Sequence, residues 1–138
     1  MTNARIIIRN DIQELERIRE FIERQGDEWN LSARNIFSIN LVLEELITNI
    51  IFYGFDDDQV HDITIRMSLK DDMLRLRIED DGKPFDPLRV DTPEDIGKSL
   101  EERKIGGLGI YFVREIMDTC SYERTGNKNR LLLSKQVK

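Results

Sequence analysis

Three separated stretches of this sequence hold residue types suited to one chemistry. Glu45 and Asn49 stand four residues apart in IFSINLVLEELITNIIFYGF (36–55), so on a helix they are neighbours on one face. Asp80-Asp81-Gly82 closes an alternating apolar run, and Gly106-Gly107-Leu108-Gly109 opens a periodic one. An asparagine oxygen is a hard ligand that suits Mg²⁺, an ion that keeps several waters and takes other oxygens from nucleotide phosphates. A glycine-ended acidic turn sets one carboxylate against a base edge as an acceptor, and the missing side chain lets the ligand approach. A glycine-rich turn opening a helix offers unpaired N–H groups and the positive end of the helix dipole, which suits phosphate. Each stretch alone has an ordinary explanation: a solvated helix stripe, a loop turn, a flexible connector. In combination they describe a magnesium-nucleotide site.

The elements that must position these residues follow from periodicity. On the central helix Val42, Leu43, Leu46, Ile47 and Ile50 gather on one side, and Asn40, Glu44, Glu45, Thr48 and Asn49 on the other. Glu45 and Asn49 fall at the border, beside Val42 and Leu46, whereas Glu44 reads as a surface charge. Ser32 is the expected cap, and the helix is expected to end near Tyr53-Gly54 with the glycine left-handed. Upstream, residues 5–9 read as a short strand around Ile6, Ile7 and Ile8. Asn10 or Asp11 then caps a helix carrying Ile12, Leu15, Ile18, Arg19 and Ile22, with a stop near Gly26. Trp29 is expected to pack the connection between the two helices.

Downstream, ITIRMSL (63–69) and MLRLRIED (73–80) alternate strictly around Lys70-Asp71-Asp72, the pattern of a β-hairpin with one buried face. His61, just before it, reads as an exposed loop residue. The segment from Leu88 to Gly107 is charged and glycine-punctuated, which predicts a long mobile loop of the lid kind with a short helical piece near Lys98 to Lys104. A helix with Ile110, Val113, Ile116 and Met117 follows. Two closing strands, CSYERT (120–125) and RLLLSKQV (130–137), flank the turn Gly126-Asn127-Lys128-Asn129, and Cys120 reads as a small core residue.

The bulk numbers narrow the classes. A chain of 138 residues is most simply one domain. With 21 basic against 27 acidic residues, net −6, it lacks the Lys/Arg excess that non-specific nucleic-acid binding requires. A single cysteine excludes an intrachain disulfide and a cysteine metal cluster, which suits a reducing cytoplasm. No signal segment is expected, and no stretch is expected to approach the roughly 20 apolar residues of a membrane span. GxxxxGK[ST], HRD and DFG are absent, so P-loop and eukaryotic-type kinases are excluded.

In order and spacing the chain resembles the GHKL (Bergerat-fold) ATPases, and most closely the bacterial anti-sigma-factor serine kinases. EELITN (44–49) is similar to their N-box, EDDGKPFDP (79–87) to the first glycine box and GGLGIYFVREIMD (106–118) to the second. The resemblance covers nearly the whole chain; its anti-sigma branch rests on small size, the PFDP continuation and the closing YERTGNKNRLLLSK. Many relatives carry a histidine where Tyr53 stands, a position expected to be peripheral.

The resemblance implies an α+β two-layer sandwich, a mixed and mainly antiparallel sheet with helices on one face, the nucleotide lying between the long helix and the lid. It implies ATP and Mg²⁺ as cofactors, Asn49 as the Mg²⁺ ligand and Glu45 as the general base. Asp80 would read the adenine amino group, with Asp81 its rival; the family spacing Asp-x-Gly favours Asp80. Gly82 would let the ring lie close. Gly106, Gly107, Leu108 and Gly109 would serve the phosphates through the second glycine box, and Arg103 or Lys104 in the lid would reach the terminal phosphate. The implied function is phosphorylation of a serine on a small, STAS-like antagonist protein by a kinase that also binds a sigma factor, in a homodimer. Two alternatives stand: a non-catalytic nucleotide-gated binding module, and a detached histidine-kinase catalytic domain.

Overall fold

The alternating runs pair into one sheet, and the periodic runs cover one of its faces. The computed structural model describes residues 2–89 and 107–138. In chain order the elements are β1 (Thr2–Arg9), a 3-10 turn (Ile12–Glu14), α1 (Leu15–Glu28), α2 (Ala33–Tyr53), β2 (Asp62–Lys70), β3 (Met73–Asp80), a second 3-10 turn (Pro87–Arg89), α3 (Gly107–Ile116), β4 (Thr119–Thr125) and β5 (Lys128–Gln136). The strand order is β1-β2-β3-β5-β4. This is the expected α+β sandwich. The mixed sheet is corrected: among the described residues every pairing is antiparallel, because the β4–β5 hairpin returns β5 against β3 in the opposite sense.

Both hairpins are tighter than their sequences suggest. Lys70 pairs with Met73, so the β2–β3 turn is Asp71-Asp72 alone, both at positive φ (52° and 63°). Such left-handed pairs match the right-handed twist of the flanking strands. Thr125 pairs with Lys128, leaving Gly126-Asn127 as the β4–β5 turn, with Gly126 at φ 60°. Lys128 and Asn129 therefore belong to β5.

The helix ends show where packing overrules local signals. Asp11 accepts from Gln13 N at 2.9 Å and starts the 3-10 turn rather than α1 itself. α1 stops near Gly26 as expected, at Glu28, but Gly26 itself lies inside the last turn, buried where Ile36 crosses, a Cβ there meeting Ile36 Cγ1 at 2.5 Å. Ser32 does cap α2, accepting from Asn35 N at 3.1 Å. Gly54 closes α2 with right-handed backbone (φ −87°, ψ −10°), not left-handed. In that conformation its carbonyl accepts from Lys83 N at 3.0 Å.

The core lies between sheet and helices. Ile63, Ile65, Met67, Leu74, Leu76, Ile78, Leu131 and Leu133 point inward from the strands against Ile39, Val42, Leu43, Leu46, Ile47 and Ile50 of α2. Truncating any one of the Ile, Leu or Met side chains among these to alanine costs about 2–5 kcal/mol. Helices α1 and α3 pack on either side of α2, adding Ile18, Phe21, Ile22, Ile110, Val113 and Met117, with Trp29, Ile116 and Cys120 partly buried at the margin. By length and composition α2 would suffice to cross a membrane, which the sequence reading did not anticipate; its apolar side is buried against the sheet. Of the expected loop after β3, Pro87–Arg89 forms a turn with Leu88 buried. The helical piece near Lys98 to Lys104 lies outside the described residues.

Candidate active site

The polar residues of interest sit where the inward face of the sheet runs out beside α2. In β3, Leu74, Leu76 and Ile78 point inward, and Asp80 is the next residue of the same parity. Only 4% of it is exposed. Its cross-strand partner is Asn129, whose own partner is Arg124, so Ile63, Asp80, Asn129 and Arg124 form one row across the end of the sheet.

That row holds Asp80 in a defined pose. Gly82 N donates to its Oδ1 at 2.9 Å, and Asn129 Nδ2 donates to the same oxygen at 3.0 Å. Among the described residues both bonds fall on Oδ1, and Oδ2 is left to accept from a ligand. Asn129 Nδ2 also donates to Lys83 O at 2.7 Å, and its Oδ1 accepts from Tyr122 Oη and from Phe85 N. Arg124 Nη1 donates to Gly82 O at 2.7 Å. Burial pushes the Asp80 carboxyl above the usual carboxylate range, opposed by the Asn129 and Gly82 hydrogen bonds. Asp81 is exposed and turns to His61 instead.

Gly82 fits because nothing larger would: a Cβ there would strike the Gly54 carbonyl and crowd Phe55. The first acidic turn is thus pressed onto the end of α2. At the other end, a Cβ on Gly109 would fall on the Glu45 carboxylate. Glu45 therefore lies directly on the first turn of α3, whose leading N–H groups have no intrahelical partner. Burial, and then the neighbouring Glu44, raise its pKa above that of an ordinary glutamate.

Between these ends lies Asn49, one turn from Glu45 and 2% exposed. Its Nδ2 has no hydrogen-bond partner among the described residues. A hard cation would be met by Oδ1 of the same amide, since the Nδ2 group is a donor and cannot ligate an ion. No group of three or more His, Cys, Asp or Glu side chains among the described residues could hold a metal by itself. From Glu45 to Gly54 the helix rises about 13 Å at 1.5 Å per residue, so the site is a strip with a carboxylate and helix start at one end and a buried Asp-Gly turn at the other.

The structure thus brings Glu45 to Gly109, and Asp80 and Gly82 to the end of the helix bearing Asn49. Gly107 and Leu108 open α3; Gly106, Arg103 and Lys104 lie outside the described residues. Tyr53, expected to be peripheral, packs its ring 6.3 Å from Phe85, next to the acidic turn. His61 is not merely exposed: it stacks on Phe55 at 4.6 Å and bonds Asp57 and Asp81 at 2.8 and 3.0 Å. Sequence reasoning missed Asn129, Tyr122 and Arg124. The signal was present in Asn129-Arg130-Leu131-Leu132-Leu133, where Asn129 shares the inward parity of Leu131 and Leu133, but placing it in a four-residue turn concealed it.

A five-stranded antiparallel sheet covered by helices, with this strip along its central helix, is the architecture of a nucleotide-binding ATPase domain. Residues 8–135 match the Histidine kinase-like ATPase domain, and the chain belongs to that family. It is 31% identical over 111 residues to the serine/threonine-protein kinase BtrW of Bordetella bronchiseptica, covering 78% of this chain and 74% of that protein. It is 30% identical over 93 residues to the serine-protein kinase RsbW of Listeria monocytogenes, covering 63% of this chain and 57% of the relative's length. The fold is shared with part of a structure of the RsbU and RsbW domains of a Mycobacterium tuberculosis protein, at a TM-score of 0.71 and 13% identity over 99% of this chain and 32% of that one. Both relatives are named as protein kinases, and this chain spans little more than half the length of the Listeria protein; membership of an ATPase family implies ATP binding.

Proposed function

We propose that residues 1–138 act as one ATP-dependent protein-serine kinase domain that phosphorylates a small antagonist protein and holds a sigma factor when that antagonist is spent. The observation that carries this reading is the Glu45 carboxylate seated on Gly109 at the start of α3. A nucleotide-gated binding module needs anchors for base and phosphates; it does not need a carboxylate at the phosphate end of the strip. The names of the relatives support the same choice.

Bound Mg-ATP supplies a transferable γ-phosphoryl group with its charge partly neutralised. The chain's own residues do the rest. Asp80 accepts from the adenine amino group while Asn129 and Gly82 hold its other oxygen. Gly82 leaves room for the ring. Asn49 offers its amide oxygen to the cation, and the first N–H groups of α3, from Gly107 to Gly109, face the phosphates. Glu45 takes the proton of the attacking serine hydroxyl; its raised pKa makes it a stronger base than an exposed glutamate. Arg103 or Lys104 is proposed to reach the terminal phosphate, and Gly106 to serve the phosphates with the rest of the second glycine box. The setting proposed is the cytoplasm, where the lone thiol of Cys120 stays reduced.

The test is Mg-ATP calorimetry followed by transfer of labelled γ-phosphate to antagonist proteins encoded in the same genome. Serine labelling, with Glu45→Ala keeping nucleotide affinity but losing about 10²–10⁴ in rate, is the expected result. Binding without transfer to any candidate would favour the nucleotide-gated module, and acid-labile histidine labelling would favour the detached histidine-kinase domain.

A further inference from the structure

The face of the sheet turned away from the helices carries a charge pattern that neither the core nor the nucleotide strip uses. Arg5 lies directly opposite Arg66, and Arg66 directly opposite Arg77, so three arginines stand in one row across β1, β2 and β3. Arg75 adds a fourth, two residues along β3 on the same face. Side chains so placed have Cβ atoms only about 5 Å apart, and like charges in such pairs oppose folding.

These arginines border an open hollow of about 800 Å³, also lined by Ser68, Ser121, Ser134 and Leu132. Four arginines and no carboxylate line it, in a chain whose net charge is −6. Glu79, at its edge, is shared: it meets Arg77 Nε at 3.1 Å, Arg66 Nε at 3.8 Å and Arg130 Nη2 at 3.2 Å. Arg77 Nε is shut off from solvent without a hydrogen bond, close to Glu79 but not aligned to donate to it. Arg5 and Arg75 are exposed, and neither makes an ion pair or side-chain hydrogen bond among the described residues.

We infer that this face is a docking surface for an acidic segment of a partner protein, with two or more carboxylates on one side. Guanidinium forks pair bidentately with carboxylates, and the hydroxyls of Ser68, Ser121 and Ser134 supply further donors. Leu132, 37% exposed beside Arg77, offers an apolar foothold. The occupant is a short peptide rather than a polyanion, because the row spans only three strands, about 10 Å. Duplex DNA or an anionic membrane is an extended polyanion and would bring most of its charge against the acidic remainder of the chain, which a short segment seated on the arginines does not reach.

The experiment uses the full chain and a short fluorescein-labelled peptide with two glutamates on one side, compared with its glutamine counterpart by fluorescence anisotropy at rising salt. Salt-sensitive binding is expected, weakened about tenfold or more in Arg5→Ser/Arg75→Ser, whose midpoint of thermal unfolding is no lower than wild type since repulsion has been removed. Mg-ATP affinity stays unchanged in the variant. No peptide binding, or equal binding by variant and wild type, overturns the inference. Tighter binding of duplex DNA or phosphatidylserine vesicles through the same arginines also overturns it, as does a homodimer seen by sedimentation that dissociates in the variant.

Discussion

Asp80 shows how one residue serves both strand and site. Strand alternation drives it inward, where an ionised carboxyl is costly, and two donors on Oδ1 offset only part of that cost. Its folded pKa lies above the ordinary 3.8, burial being the largest cause. The native state therefore binds the proton more tightly than the unfolded chain, and stability falls as pH rises from below 3.8 through the raised value. At neutral pH the fold carries this penalty, which the proposed adenine-reading role of Asp80 would explain. Asp80→Asn keeps an oxygen for both donors and removes the buried charge, so its thermal midpoint should equal or exceed that of wild type while ATP binding is lost. An Asn variant titrating ATP with wild-type affinity would refute the adenine-reading role. The choice of Asp80 over Asp81 was open in the residues alone, since a one-residue shift exchanges them. Tertiary structure places Asp81 on His61 and Asp80 in the core.

At the scale of elements, the site depends on close approaches that only glycine permits. Gly109→Ala puts a methyl group on the Glu45 carboxylate, so α3 must shift or Glu45 must leave. The expected outcome is a fall in phosphoryl transfer of about 10²-fold, the scale on which misplaced groups act, with far-ultraviolet circular dichroism unchanged. Wild-type transfer in this variant would show that the contact is dispensable. The β2–β3 turn presents the opposite case, in which glycine is missing where the backbone would welcome it. Asp72 sits at φ 63°, where a non-glycine residue costs about 1 kcal/mol. Asp72→Gly should raise the thermal midpoint by a few degrees, and an unchanged or lower midpoint would mean Asp72 is held by contacts beyond its backbone. Both hairpins were legible from alternation, whereas their exact turns were not. Turn length is set by cross-strand register, and register follows from which faces the whole sheet buries.

For the molecule as a whole, His61 links parts that are distant in sequence. Its N–H donates to Asn10 Oδ1 after β1, its ring stacks on Phe55 after α2, and its nitrogens bond Asp57 and Asp81. The hydrogen bond with Asp57 is the largest cause raising its pKa above 6.5. A raised histidine pKa contributes stability that is fully present below 6.5 and is lost as pH rises through the folded value. Thermal midpoints should accordingly decline across that window in wild type and flatten in His61→Gln; parallel profiles would remove His61 as the cause. Much of this protein was determined by sequence alone. Periodicities of 3.6 and 2 place Val42, Leu43, Leu46 and Ile47, and Ile63, Ile65, Leu74 and Leu76, on buried faces wherever those faces meet. The order of the three polar motifs along the chain pointed to a nucleotide. What tertiary structure decided were the meetings across the chain: Gly26 under Ile36, Gly109 under Glu45, Asn129 beside Asp80, Arg5 in line with Arg66 and Arg77. Local pattern states which face a residue occupies. Its partner on that face depends on strand register and on how closely two backbones pack, and both are properties of the assembled sheet and helices.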